Sequence, residues 1–422
     1  MKFVVASYGT RGDVEPCVAV GSELLRRGHE VRMAVPPDQI GFAESAGLAA
    51  VPYGPDTQVW WGAHRDLWTR FFDNFWKIQD LIRLFREIGE SVIEYWEQIT
   101  TTLRSLADGA DLLVTFLNFE PPAANVAEYY DIPLATVHVF PVRANGQVWP
   151  FLPSPLGRYA LTVYGWANWR GVKRFDDAQR RQLGLPKAAG PAPRRITERG
   201  SLEIQAYDEV CFPGLAAEWA KWNGQRPFVG ALTMELTTDA DDEVASWIAG
   251  GTPPIFFGFG STPAKTPADT LAMISAACAQ LGERALVCSG WSDFSHVPHF
   301  ENVKVVGTMN YAAAFPACRA IVHHGGLGTT AAGLRAGVPM LIFWTAPDQA
   351  IWAARVKRLK VGSGRRFSAI TQKSLVADLR TILDPQYVAR AREIAPQMTK
   401  PAESVANAAD LLEKLARSRR VD

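Results

Sequence analysis

The residue types in this chain that could do chemistry fall into a few glycine-bearing runs. HHGGLGTT (323–330) sets His323 and His324 beside Gly325, Gly326 and Gly328, followed by Thr329 and Thr330. It follows the apolar run RAIV and leads into AAGLRAG, so it reads as a turn from a strand into a helix N-terminus. Backbone N–H groups there carry partial positive charge, and glycines let an anion approach the main chain. Threonine hydroxyls add donors, and an imidazole can donate to a phosphate oxygen as charge builds on a leaving group. The bland alternative is a tight turn with two structural histidines. GFGSTP (258–263) repeats the pattern with Ser261 and Thr262, and the two runs together would clamp an anion from two sides. WTAPDQ (344–349) ends another strand with Asp348 and Gln349. A carboxylate that accepts and an amide that does both suit vicinal hydroxyls; an N-cap at Asp348 is the plainer reading.

The opening strand runs into SYGTRGDVEP, where Asp13 stands at the expected N-cap of the first helix. Capping is worth about 1 kcal/mol, and Pro16 in the first turn supports that helix start. The same carboxylate could instead take the proton of an alcohol held within hydrogen-bond reach. Gly9 and Gly12 let this loop bend, and Arg11 is placed to orient the loop or a substrate.

The elements that must position these runs alternate strand and helix. FVVAS (3–7) reads as a buried parallel strand, followed by a helix that Gly28 closes and by the strand EVRMAV (30–35). DLLVTF (111–116) and PLATVHV (133–139) read as later strands around a helix NVAEYY, with long helical structure over 66–106. The rhythm restarts past residue 220 with PIFFGFGS, RALVCSG, NVKVVG, RAIVHHGG and PMLIFW. This predicts an α/β chain of two Rossmann-like, doubly wound parallel-sheet domains: 1–212, a linker over 213–230, and 231–400. A helix over 401–422 is expected to pack back on the first domain. Ligands of such sheets bind outside the carboxyl ends of the strands, at the switch points.

Composition excludes several classes. The 422 residues carry 44 Lys plus Arg against 43 Asp plus Glu, so no global charge argues for nucleic acid. Five scattered cysteines lack metal-ligand spacing and read as buried thiols. HHGGLGTT lacks the P-loop lysine, and neither half carries GxGxxG with an acidic residue about twenty positions on. The first residues are too short an apolar run for a signal peptide, and no window reaches the ~18–20 apolar residues of a spanning helix. A cytoplasmic protein is expected.

HHGGLGTT, RAGVPMLIF and DQ together resemble the C-terminal nucleotide-sugar signature of the family 1 GT-B glycosyltransferases. The branch of actinobacterial glycopeptide, glycopeptidolipid and sterol-type enzymes also opens with GSRGDVxPxxALxxxLxxRGHEVxxAxPP. Here that stretch reads YGTRGDVEPCVAVGSELLRRGHEVRMAVPP. The resemblance implies two domains facing a central cleft and transfer of a hexose or deoxyhexose from a UDP- or dTDP-sugar, with inversion. It implies His323 and His324 on the diphosphate, with Gly325, Gly326, Gly328 and Thr329 completing the cradle and Ser261 and Thr262 opposite. Asp348 and Gln349 would hold the donor sugar, Trp291, Met309 and Asn310 the base, and Asp13 would be the general base. Plant enzymes of the family carry HCGWNS and an N-terminal catalytic histidine, and this chain has neither. No cofactor and no metal are expected, since no DxD follows a strand in either nucleotide-binding loop.

VWWGAHRDLWTRFFDNFWKIQDLIRLFREIG (59–89) carries aromatics at helical spacing with interleaved Arg and Lys. Core helices are one reading; an apolar acceptor channel, or a peripheral face on the inner plasma membrane, is the other. The expected acceptor is a hydrophobic small molecule or lipid. A nucleotide-sugar epimerase and a non-catalytic nucleotide-sugar-binding module are the competing readings.

Overall fold

Lys2–Ala6 forms β1 because its β-branched and aromatic side chains are buried on both faces of a parallel sheet, from Phe3 to Ala6 without exposure. Successive side chains serve opposite layers: Phe3 and Val5 join Val14, Val18 and Leu24, while Val4 and Ala6 join Leu103, Leu113 and Val126. In the computed structural model the described residues are 1–58, 95–148, 152–222, 224–260, 266–290, 292–294 and 297–418. The stretch 59–89 and the site candidates Ser261, Thr262 and Trp291 lie outside them.

Two units emerge, Met1–Met234 with Pro401–Asp422, and Glu235–Lys400. The first holds β1, β2 (Glu30–Val35), β3 (Ala50–Pro52), β4 (Leu112–Phe116), β5 (Leu134–His138) and β6 (Leu202–Gln205). They pair in parallel in the order β3-β2-β1-β4-β5-β6, so the winding reverses between β1 and β4. The second holds β7 (Ile255–Gly258), β8 (Ala285–Cys288), β9 (Val303–Val306), β10 (Ala320–His323), β11 (Met340–Trp344) and β12 (Gly362–Arg366). Their order is β12-β11-β10-β7-β8-β9, again parallel, with the reversal between β7 and β10. The predicted pair of doubly wound sheets is therefore present.

Three strands escape the sequence pattern. β3 is a three-residue edge, β6 is the short LEIQ, and β12 is GSGRR. A Cβ on Gly362 would stand 2.1 Å from the Met340 carbonyl oxygen, so close approach to β11, not β-propensity, selects that residue.

Residues 213–230, marked as a linker by their Pro, Gly and Asn, fold into the first unit. Leu215 and Trp219 of the helix Leu215–Trp219 are buried, and Phe228 bridges Gln205 in parallel. The helix Pro401–Ser418 also packs in that unit, where Ala408, Leu412 and Ala416 join the Phe3 layer. Burying one such leucine contributes about 1.5–3 kcal/mol. Glu413 receives His29 at 2.9 Å and Arg27 at 3.4 Å beside it.

The helix predicted as NVAEYY runs over Glu120–Tyr129, and a 29-residue helix, Ser154–Gln182, was not anticipated. Its C-terminal part is anchored by buried Asp176, Gln179 and Arg180; Asn125 donates to Asp176 and to Gln179 at 2.7 Å each. All five cysteines are buried free thiols, and burial pushes Cys17, Cys278 and Cys318 up to about 12. Among the described residues no helix is long and apolar enough to cross a membrane.

Candidate functional site

The first switch point is lined by the loop leaving β1. Thr10, extended, is the N-cap of the helix Arg11–Arg26, and Asp13 is its third residue rather than the cap. An acid at that position reaches back to the cap residue: the Thr10 N–H donates to Asp13 Oδ2 at 2.8 Å and the Thr10 hydroxyl at 3.1 Å. Pro16 is correspondingly the sixth helical residue, past the first turn. Gly9 has φ +139°, and a Cβ there would meet Asp13 Oδ2 at 2.3 Å. The Ser7 hydroxyl donates to the Asp13 carbonyl at 2.9 Å.

Two expected helpers of this loop act otherwise. Gly12 is helical, and a Cβ would meet nothing nearer than Thr10 Oγ1 at 3.9 Å, so no bend depends on it. The Arg11 guanidinium lies 4.2 Å from the Phe42 ring centre and 3.8 Å from Glu15, against the helix rather than along the loop.

Two residues that the sequence reading passed over brace the same place. Asn118, just past β4, donates to the Tyr8 carbonyl at 2.6 Å and ties together the loops on either side of the reversal. The available signal was position, because LNFE follows the strand that flanks the switch point. Glu15 Oε1 accepts the Met234 N–H at 2.9 Å. Burial raises its pKa, against the opposing pull of that N–H and of Arg11.

At the second switch point His323 ends β10 with no exposure. Its Nδ1 accepts the Gly325 N–H at 3.1 Å, which places the ring proton on Nε2. Nε2 is buried and has no hydrogen-bond partner among the described residues. Burial, and His324 alongside, hold the His323 pKa well below its ordinary value, so the ring is neutral and offers one N–H. The Gly325 φ of +97° builds this turn, and a Cβ there would meet Ile342 Cγ2 at 2.8 Å and Gln349 Cβ at 3.1 Å. The loops after β10 and β11 are thus in contact.

Gly326 is the N-cap of the helix Leu327–Ala336 and, having no side chain, makes no side-chain cap hydrogen bond. Gly328 and Thr329 occupy the second and third positions of that helix, partly exposed. The Thr330 hydroxyl is committed to the Gly326 carbonyl at 2.8 Å and is not an available donor. His324 stands against the β7 loop: a Cβ on Gly260 would meet its ring at 2.5 Å, and one on Gly326 at 2.7 Å. Burial lowers His324 to about 4, opposed by a hydrogen bond with the Gly258 backbone.

The helix Pro347–Arg358 is capped by Ala346, so neither Asp348 nor Gln349 is its N-cap. Asp348 is the second helical residue; burial raises its pKa, while its own N–H and that of Gln349 oppose. Gln349 Oε1 accepts from Thr345 N–H at 2.8 Å, Thr345 Oγ1 at 3.0 Å and Ala346 N–H at 3.1 Å. Its carbonyl is therefore consumed in shaping the turn, and its amide protons are what remain to offer a ligand.

Met309 is buried, and Asn310 is a helix cap. The Asn310 side chain accepts from Ala312 and Ala313, its N–H donates to Asp241 at 2.8 Å, and its carbonyl accepts from Ala314. The side-chain oxygen, N–H and carbonyl of Asn310, expected to contact a base, are thus each already bonded within the protein.

A buried charge network, invisible as a motif, lies at the carboxyl ends of β4, β5 and β6. Arg143 places two nitrogens 2.8 Å from the two Glu120 oxygens and bonds Glu203 as well. His138 Nε2 is 2.6 Å from Glu120, and Gln205 approaches its Nδ1 at 3.2 Å. Burial alone would raise Glu120, yet Arg143 and His138 bring it to about 2. These partners are far apart in the chain, and only the sheet gathers them.

Comparisons with known proteins bear on the fold and the family. Residues 3–146 match the glycosyltransferase family 28 N-terminal domain, and residues 264–412 match the erythromycin biosynthesis protein CIII-like C-terminal domain. An uncharacterized glycosyltransferase of Mycobacterium tuberculosis (strain H37Rv) is 62% identical over 100% of both chains. A sterol 3-beta-glucosyltransferase of Arabidopsis thaliana is 26% identical over 97% of this chain and 67% of its own. The solved glycotransferase of kitacinnamycin superposes with a TM-score of 0.70 at 19% identity, over 98% of both chains. The glycosyltransferase VinC, solved with dTDP, gives 0.64 at 18% identity over 99% of this chain and 100% of its own. The fold, and likeness to a relative along its entire length, place this chain among the family 1 GT-B glycosyltransferases.

Proposed function

We propose that this glycosyltransferase moves a hexose or deoxyhexose from a UDP- or dTDP-sugar to a hydroxyl of a hydrophobic acceptor, with inversion at the anomeric carbon. The carrying observation is His323: a neutral, buried imidazole whose remaining donor, Nε2–H, has no partner among the described residues and lies in the loop leading into a helix whose N-cap, Gly326, has no side chain. That pairing suits a diphosphate, which gains a fixed hydrogen bond and the helix field without reorganising the protein. Support also comes from VinC, which was solved with dTDP, and from the sterol glucosyltransferase, whose acceptor is a hydrophobic alcohol.

In this reading the second unit holds the donor, with the Gln349 amide and Asp348 on its sugar. Asp13 of the first unit takes the acceptor proton as the acceptor oxygen bonds the anomeric carbon and the diphosphate departs with the bonding pair. The Thr10 N–H and hydroxyl both donate to Oδ2, which fixes the orientation of the carboxylate that takes this proton. A carboxylate suffices because a diphosphate needs no acid to leave. No metal is required when a helix terminus and an imidazole meet the diphosphate charge, so chelation with EDTA should leave the rate unchanged.

The test is Asp13→Asn, assayed with a donor panel with and without apolar alcohols. The expected result is intact nucleotide binding with turnover reduced on the order of 10²–10⁴-fold. Near-normal turnover would reduce Asp13 to a helix-start residue. Diphosphate release only with acceptor means transfer, and isomerised donor without acceptor would mean an epimerase.

A further inference from the structure

Among the described residues, five of the eight exposed large hydrophobic side chains lie within eleven residues of one helix. These are Leu156 (57% exposed), Tyr159 (69%), Val163 (45%), Tyr164 (63%) and Trp166 (54%), all in the N-terminal half of Ser154–Gln182. The other half is held by Asp176, Gln179 and Arg180, whereas this half carries little buried surface. At 3.6 residues per turn, positions 156, 159, 163 and 166 form one stripe, with Tyr164 on its flank.

The stretch around the stripe is basic. No Asp or Glu occurs from residue 132 to residue 175; Arg158 is paired with Glu218 and Lys173 with Asp177, and Arg170 and Arg174 supply the basic heads. Arg170 lies 5.4 Å from the Trp166 ring centre, a basic head carried on the aromatic stripe. Aromatic rings with polar edges, aliphatic side chains and the basic heads of Arg170 and Arg174 match the boundary of an anionic bilayer, where rings sit at headgroup level and basic heads reach phosphates. A second copy is a poorer occupant, because residues 154–175 offer no carboxylate to the Arg170 and Arg174 of a second copy.

We propose that Leu156–Trp166 is a peripheral docking face for an anionic lipid surface. It is distinct from 59–89, and it does not depend on the donor chemistry, because its readout needs no nucleotide sugar.

The test is flotation of the full chain with phosphatidylcholine vesicles, with and without about a third of phosphatidylglycerol. Co-flotation is expected with the anionic vesicles only, weakening as salt rises. Tyr159→Ser with Trp166→Ser, and separately Arg170→Glu with Arg174→Glu, should each reduce it roughly tenfold or more. Both variants should keep the wild-type unfolding midpoint, since these side chains are exposed. Three outcomes overturn the proposal: no co-flotation of the wild-type chain, undiminished co-flotation of both variants, or a dimer seen by light scattering that the Tyr159/Trp166 variant abolishes.

Discussion

Gly9 and Asp13 exclude each other's freedom: a methyl group on Gly9 would lie 2.3 Å from Asp13 Oδ2, and the Gly9 backbone sits at φ +139°. The carboxylate can bond back to Thr10 only because the loop beside it has no side chain. Gly9→Ala is therefore expected to misplace the carboxylate and slow turnover on the order of 10²-fold. Backbone strain should cost about 1–3 kcal/mol, with nucleotide binding retained. Steady-state kinetics beside calorimetric titration with dTDP and UDP checks this. Gly12→Ala, which meets open space, should be nearly silent.

His323→Phe removes the Nε2–H while keeping a planar ring. Hydrogen bonds to charged groups contribute about 1.5–3 kcal/mol, so nucleotide diphosphate affinity should fall roughly 10- to 100-fold. Titration calorimetry measures it, and unchanged affinity would remove His323 from the diphosphate site.

Gln349 offers a cleaner separation of structure from binding. Gln349→Glu keeps an oxygen that accepts from Thr345 and Ala346 but loses the amide protons. The turn should keep its acceptor and lose less stability than in Gln349→Ala, while the KM for the donor rises several-fold. Gln349→Ala should lose both, with about 1 kcal/mol of stability gone as the turn loses its acceptor. Urea unfolding and donor saturation curves together distinguish the two.

Arg143→Met leaves Glu120 and Glu203 buried without their shared cation. Breaking a buried pair from one side costs about 3–5 kcal/mol, and the loss should appear in chemical unfolding of the first unit. Replacing Arg158, half exposed opposite Glu218, should cost less than about 1 kcal/mol.

The two loop histidines set an acid limit. Both are held below the ordinary imidazole value when folded, His324 at about 4, so between pH 6.5 and about 4 the unfolded chain binds protons that the folded chain refuses. The histidines' contribution to stability then falls as pH falls through that window, by up to about 1.4 kcal/mol per pH unit for each, while Glu15 and Asp348, raised by burial, act in the opposite sense. Glu120, lowered to about 2, adds its own loss only below about 4.5. Denaturation midpoints from pH 7.5 to 4 check the sign, and His324→Asn should flatten the upper part of the slope.

The alternation of apolar runs with glycine turns was enough to specify two doubly wound sheets, because parallel strands buried on both faces leave continuous β-branched runs. It also located the glycine turns at the strand ends, since glycines there mark close backbone approach whatever the partner. Strands that owe their place to neighbours were not legible: β12 is glycine and arginine because β11 passes too near for a side chain. The residues 213–230 look like a linker by composition, yet they fold against β6.

What the sequence determined by itself was the supply of groups: a carboxylate after the first strand, imidazoles and glycines after another, an acid and an amide after a third. The tertiary structure decided what each group has left to give. It moved the cap from Asp13 to Thr10, set the His323 tautomer through Gly325, spent the Gln349 carbonyl on its own turn and occupied Asn310. The physical reason is that a hydrogen-bonding group has few sites, and which are already filled depends on neighbours that chain order does not name.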